Sequence, residues 1–256
     1  MIDERAVVSP RARVHEEASV GPFCIIGDDV EIGRGTRIEP HVVIRGPTTI
    51  GEDNRIFQFA SIGEEPQDKK YAGEPTRLVI GHRNTIREYT TISRGTVQDR
   101  GVTELGDDNW IMAYVHIAHD CVVGSHTIFA NAASLAGHAH VGDHAILGGF
   151  SGVHQFCRIG AHAFLGMYSH VTMDVPAYVV ATGSPGEPRG INVEGLKRRG
   201  FSADQLRNLR EAYRVVYRQG LKLEEAIDVL AARADEQGEL EPLIESLRNG
   251  TRGIIR

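Results

Sequence analysis

Nine of the twelve histidines in this 256-residue chain fall between residues 116 and 170. Within that stretch the string His116-Ile-Ala-His119-Asp120 places an imidazole next to a carboxylate. A histidine oriented by an acceptor can take a proton from a hydroxyl, provided a donor nearby carries the charge that develops. His138 and His154 follow, and three chemistries could use the set. Zinc would need further ligands, and no neighbouring cysteine or acidic cluster completes them. A nucleophilic triad would need an exposed serine or cysteine within reach. General-base catalysis asks for least and is favoured.

The elements that must hold these residues follow from a six-residue repeat. An aliphatic recurs every six positions from Ile2 to Ile62, from Ile80 to Ile92, and from Leu105 to Val171, with Phe129 the one exception. Two residues earlier stand small side chains such as Ala18, Ala133, Ala145 and all three cysteines, Cys24, Cys121 and Cys157. That slot predicts buried, reduced thiols. Glycine often follows the aliphatic, as at Gly21, Gly33 and Gly160, which predicts a glycine-made corner. Period six fits neither an amphipathic helix nor plain strand alternation; it fits a short strand, a corner and another strand. The chain therefore reads as a parallel β-solenoid.

If three hexads complete a coil, a count that the period does not itself fix, the gaps after Ile62 and Ile92 and the aliphatics Ile117, Leu135 and Val153 share one edge of the solenoid. Two inserted loops, residues 63–78 and 93–104, then overhang His119, His138 and His154, expected one coil apart and in register. Solenoid insertions gather on binding faces, and loops carry function. His15, His41, His82 and His126 read as ordinary surface residues.

Composition narrows the classes. The net charge of −6 and a pI near 6.1 argue against a nucleic-acid binder. No apolar stretch reaches the roughly 18 residues of a membrane span. The opening Met-Ile-Asp-Glu-Arg is charged where a signal peptide is apolar, so a cytoplasmic protein is expected. The cysteines lack Cys-x-x-Cys spacing, which disfavours a structural zinc site.

Several strings are more specific than the repeat: Gln67–Thr76, Arg94–Gln98, His116–Asp120, Leu135–His138, Val153–Phe156, Asn192–Ser202 and Thr251–Arg256. Through them the chain resembles, end to end, the acyl-carrier-protein-dependent UDP-N-acetylglucosamine O-acyltransferases that begin lipid A synthesis in Gram-negative bacteria. The resemblance implies a left-handed, three-sided parallel β-helix over residues 1–186 and a small α-helical domain over residues 187–256. It implies transfer of a 3-hydroxyacyl chain to the glucosamine 3-hydroxyl, with His119 as base, Asp120 orienting it and the Gly137 N–H as oxyanion donor. Gln67, Asp68, Lys70, His116, His138 and Gln155 match positions that hold the sugar, diphosphate or pantetheine arm. His154, Asn192, Glu194, Arg198 and Arg199 match the nucleotide-binding set. Met167 matches the acyl-chain ruler, where relatives with methionine prefer shorter chains than relatives with glycine; a donor of about ten carbons is expected. The resemblance also implies a homotrimer with sites between subunits and no resident metal or cofactor, since phosphopantetheine arrives on the acyl carrier protein. Two departures, Ser93 where many relatives carry histidine and Ser184 where they carry asparagine, leave the base untouched.

Beyond Val171 the hexads are expected to stop. Ser202 and Gln205 form a capping-box pattern opening a helix that presents Leu206, Leu209, Tyr213, Val216 and Tyr217 and ends near Gly220. Two further helices are read around Leu223–Leu230 and Leu240–Leu247. Between Arg189 and Lys222 nine Lys/Arg face three Asp/Glu, which points to an acidic partner; acyl carrier protein is one. The competing readings are a related N-acyltransferase of the same pathway, which normally has an additional N-terminal domain whereas hexads here begin at Ile2, a zinc lyase of the carbonic anhydrase type on the same solenoid, and a catalytically inert structural solenoid.

Overall fold

The computed structural model describes residues 1–256. Short strands dominate, and they stack into three sheets built from every third strand, apart from the hairpin that ends the third sheet. The first face runs from Val7–Val8 to His170–Val171, the second from Arg13–Val14 to Arg158–Ile159, the third from Ser19–Val20 to Glu187–Ile191. Three hexads thus complete one coil. Pairing is parallel and keeps the repeat aligned: Ile92 lies beside Ile117, Ile117 beside Leu135, and Leu135 beside Val153. These aliphatics are buried in a continuous column with Phe129 among them. The three cysteines are buried and unpaired, and burial pushes the Cys121 thiol up to about 12.

The corners are not made as the glycine pattern predicts. The left-handed backbone position recurs every six residues, at Gly35 once but otherwise at residues such as Phe23, His41, Phe59, Tyr89, Tyr114, His138 and Phe156. That conformation costs an L-residue about 1–2 kcal/mol, and stacking offsets part of it. Phe23, His41, Phe59, Tyr89 and Tyr114 form a ladder with ring centroids 5.1, 5.3, 5.2 and 4.8 Å apart, close to the coil spacing. The glycines answer a different need. A Cβ on Gly33 would stand 2.6 Å from the Gly51 carbonyl of the next coil, so it is close approach that excludes a side chain there.

Both inserted loops leave the first face and enter the second. Strands Ser61–Glu64 and Arg77–Ile80 claim the ends of the first loop, leaving residues 65–76; Thr91–Ser93 and Val102–Leu105 shorten the second to residues 94–101. The second loop lies one coil before the corner that carries Ala118–Cys121, and the first loop two coils before it.

The strict hexad spacing ends at Val171, and the coil continues beyond it with a shortened step. Val175 bridges to Ile159, and strand Val179–Thr182 pairs with Phe164–Leu165 before turning into an antiparallel hairpin with Glu187–Ile191. This hairpin straddles the expected division at residues 186/187, so the sheet, not a linker, joins the two parts. The helices are α1 (Val193–Arg198), α2 (Ala203–Arg218), α3 (Leu223–Ala234) and α4 (Glu241–Arg248). Ser202 and Gln205 form the reciprocal capping box at the start of α2. Leu206, Leu209, Val216, Leu230, Leu243 and Leu247 make a second core, closed against the prism through Tyr178. The buried carboxylate of Asp174 accepts the N–H groups of Arg158, Thr251 and Arg252 at 2.7, 3.0 and 3.2 Å and pins the C-terminal tail to the second face.

Candidate active site

The corner after strand His116–Ile117 turns through Asp120, whose φ of 58° folds its carboxylate inward beneath the second loop. Asp120 is wholly buried. Its Oδ1 accepts the Thr96 N–H at 2.9 Å, and its Oδ2 accepts the Thr96 hydroxyl at 2.6 Å. His119 Nδ1 stands 2.9 Å from the same Oδ2. Burial alone would raise the Asp120 carboxyl; the bonds from His119 and from the Thr96 hydroxyl and N–H outweigh it and hold the group below its ordinary value. A charged Asp120 receiving Nδ1–H leaves His119 Nε2 free towards the cleft.

The next coil supplies the floor. A Cβ on Gly137 would lie 2.5 Å from His119 Cε1 and 2.7 Å from Nε2, so only glycine admits the imidazole. The Gly137 N–H finds no acceptor in the chain and is available to a ligand. His138 occupies the left-handed position of that corner, stacks on Phe156 at 4.3 Å and meets His119 edge-on at 5.0 Å. Beneath the first loop, Arg94 is buried and donates to the Gly63 carbonyl at 2.9 Å and the Tyr71 hydroxyl at 3.0 Å, tying the two loops together.

These groups open onto a cleft of about 770 Å³, lined by Asp68, Lys70, Gln98, Asp99, His119, His138, His140, Gln155, Phe156, Arg158 and Thr251. Of the expected residues, Asp68, Lys70, His119, His138 and Gln155 therefore converge there, with Asp120 and Gly137 directly beneath. The expected register of the histidines does not hold. The backbone pairing sets His119 in line with Gly137 and Gln155, His138 with Asp120 and Phe156, and His154 with Ala118 and Ala136. His119 and His138 still touch because adjacent slots of adjacent coils meet at the corner. His154 turns its Nδ1 to the Gln155 carbonyl at 3.1 Å and stays outside the cleft lining, as does exposed Gln67. His116 bonds Thr91 Oγ1 at 2.7 Å, and burial lowers its pKa.

The remaining expected residues stand at other edges. Asn192 caps α1 and donates to the His162 carbonyl at 3.0 Å; Glu194 pairs with Lys197 at 3.0 Å; Arg199 donates to the His144 carbonyl at 3.3 Å, and Arg198 is exposed nearby. All four belong to the edge between the second and third faces. Met167 is exposed at the edge between the third and first faces, so no groove within one chain joins it to His119.

Sequence reasoning missed Asp99, His140 and Arg158, which lie outside every matched string, whereas Gln98, Phe156 and Thr251 lie inside strings that carried the resemblance. It also missed a potential ligand set: donor atoms of His119, Asp120 and His138 lie within 4.8 Å of one another, which corrects the view that nothing there could complete a metal site. Asp120 in this set already accepts from Thr96 through both oxygens, a poor state for a metal ligand.

Comparison with known proteins gives a consistent result. The family described as Udp N-acetylglucosamine O-acyltransferase, Domain 2, matches residues 174–255, and the bacterial transferase hexapeptide family matches residues 11–46 and 103–137. An acyl-[acyl-carrier-protein]–UDP-N-acetylglucosamine O-acyltransferase from Thiobacillus denitrificans is 59% identical, with 100% of this chain and 99% of that relative covered. One from Halorhodospira halophila is 55% identical over the same shares. The crystal structure of a UDP-N-acetylglucosamine O-acyltransferase from Moraxella catarrhalis superposes with a TM-score of 0.99 at 49% identity, covering 100% of this chain and 99% of that one.

Proposed function

Because the chain belongs to the acyl-[acyl-carrier-protein]–UDP-N-acetylglucosamine O-acyltransferase family, we propose that the cleft beside His119 is where its acyl transfer takes place. The enzyme moves a 3-hydroxyacyl chain from acyl carrier protein to the 3-hydroxyl of the glucosamine ring, the first step of lipid A biosynthesis. In this reading His119 Nε2 takes the proton of that hydroxyl while the oxygen attacks the thioester carbonyl. Asp120 holds the ring by its Nδ1–H and stabilises the imidazolium. The Gly137 N–H donates to the oxyanion of the tetrahedral intermediate. Collapse breaks the carbon–sulfur bond, and the proton on His119 passes to the departing phosphopantetheine thiolate. The observation that carries this assignment is the buried His119–Asp120 pair seated on a glycine whose N–H is unclaimed.

The distribution of residues supports a shared site. One chain keeps His119, the Asn192–Arg199 set and Met167 at three separate edges, and three copies around a threefold axis would bring such edges face to face. We therefore read the enzyme as a homotrimer with sites between subunits, its prisms wound left-handed as the resemblance implies, with neither resident metal nor cofactor. A groove lined by Arg189, Arg210, Arg214 and Arg218 on the hairpin and α2 suits the acidic acyl carrier protein. No helix is long and apolar enough to cross a membrane, and a cytoplasmic site of action accords with both substrates. Incubating the purified protein with UDP-N-acetylglucosamine and a 3-hydroxyacyl carrier protein tests the reading. It predicts a 3-O-acylated sugar nucleotide and an equal amount of free carrier thiol; both substrates recovered unchanged would end it.

A further inference from the structure

Asp99 sits on the second loop and points its carboxylate into the cleft, where Oδ2 lies 2.7 Å from His138 Nδ1. The contact repeats, one coil on, the relation between Asp120 and His119. The acceptor now comes from the overhanging loop instead of from the adjacent residue. Asp120 is a weaker alternative for the same nitrogen, with its Oδ2 at 3.8 Å and already engaged by Thr96 and His119. The other ring contacts of His138 are aromatic, Phe156 stacked at 4.3 Å and His119 edge-on at 5.0 Å. Stacking fixes the plane of an imidazole but not which nitrogen carries the proton. A carboxylate accepts and never donates when ionised, so Asp99 requires Nδ1–H. Nε2 is left as the ring atom available to a ligand.

We propose that Asp99 is a positioning residue, setting the Nδ1–H tautomer of His138 so that Nε2 meets the nucleotide sugar bound beside His119. The second loop thereby governs both histidines. Thr96 braces the carboxylate that orients His119, and three residues on Asp99 orients His138 directly. The proposal rests on the acyl-transfer reading of this cleft, but it is separable from it. It predicts an effect on sugar binding, because the base and its own carboxylate stay in place when Asp99 is changed.

The test compares Asp99→Ala with Asp99→Asn, whose carboxamide oxygen can still accept from Nδ1–H. A bond to a charged group sustains about a tenfold change in affinity. Asp99→Ala should raise KM for UDP-N-acetylglucosamine about tenfold, and Asp99→Asn about threefold, with kcat falling much less in both. Ring ¹⁵N shifts of His138, assigned through His138→Gln, should show protonated Nδ1 in the parent protein and in Asp99→Asn, and a move to the other tautomer in Asp99→Ala. An unchanged KM in Asp99→Ala, or identical ring shifts in all three proteins, would overturn the proposal. A fall confined to kcat would also overturn it, since that is what a loosened loop acting through Thr96 would produce. An inert parent protein would instead sink the acyl-transfer reading, while the ring shifts would still decide the role of Asp99.

Discussion

His119 and His138 stand at one edge of the prism, and His126, His144 and His162 stand at the next, all in corners generated by the same six-residue rule. The first pair meets edge-on, each with a carboxylate at one nitrogen and the cleft at the other. The second group stacks like coins, 4.8 and 4.7 Å apart, and ends on Tyr178 at 5.4 Å. There the Nδ1 atoms of His144 and His162 are buried without partners, and burial pushes the His162 imidazole down to about 4. Identical residues at equivalent corners thus serve opposite ends. What separates them is the inserted loop at the first edge, which brings Asp99 to His138 Nδ1 and braces with Thr96 the Asp120 carboxylate that meets His119. At the second edge Asp108 Oδ2 stays 3.9 Å from His126 Nδ1, and Arg199 and Phe201 offer His144 and His162 a cation and an aromatic edge. A histidine on a solenoid corner turns a free nitrogen to the cleft where a carboxylate holds the other, as at His119 and His138, whereas His144 and His162 pack without one.

The two edges differ most in what the loss of an imidazole costs. His119→Ala should cost about 10²–10⁴ in kcat with the fold intact, whereas His144→Ala should leave kcat within a few-fold and lower the melting temperature. Steady-state kinetics beside thermal melts would show it, and comparable kinetic losses at both edges would erase the distinction. Next in size is the effect expected at Met167, the proposed ruler at the remaining edge. Each methylene lodged in an apolar pocket contributes about 0.8 kcal/mol, near a fourfold preference. Met167→Gly should therefore shift the preferred donor towards longer chains over several carbons. Competition between medium and long 3-hydroxyacyl donors reads this out, and an unshifted ratio would remove Met167 from the acyl path.

The edges are further sharpened by complementation. Arg199→Ala should weaken binding of the sugar nucleotide about tenfold, the measure of one lost charged hydrogen bond. Refolding His119→Ala together with Arg199→Ala should then produce mixed assemblies more active than either parent. Activity no higher than the parents' sum would place both residues' functions within a single chain. The smallest effect concerns pH. His162 stays neutral in the folded protein to about pH 4, while its ordinary value is 6.5. The unfolded chain therefore binds the extra proton between those limits, and stability falls as pH drops from about 6.5 towards 4. His162→Phe keeps a ring in the stack with no proton to gain. Its melting temperature should decline less steeply over that window than the parent's, and parallel curves would show that His162 does not contribute.

The period of the aliphatics was enough to give a parallel solenoid, because stacking coils demands identical spacing at every level; the three strands per coil came from the resemblance, not from the period. The shared edge of both loops followed from counting hexads. The register of His119, His138 and His154 was beyond such counting, since the aliphatic column does not say which of four corner residues points into a cleft. Asp99, His140 and Arg158 were invisible for a related reason. They reach the site through a loop crossing or from the neighbouring face, contacts with no local signature. The glycines misled in an instructive way: their spacing marked the corners correctly, but the strained backbone fell on Phe23, His138 and their equivalents, where ring stacking between coils compensates.

The claim on which everything else depends is that His119, held by Asp120, takes the hydroxyl proton. Single-turnover acyl transfer by purified, folded His119→Ala, measured with and without added imidazole, tests it most directly. The account predicts a rate depressed by about 10²–10⁴ that rises with imidazole concentration as the small base enters the vacated space above Gly137. Transfer at nearly the parent rate in the absence of imidazole would show that His119 is not the base.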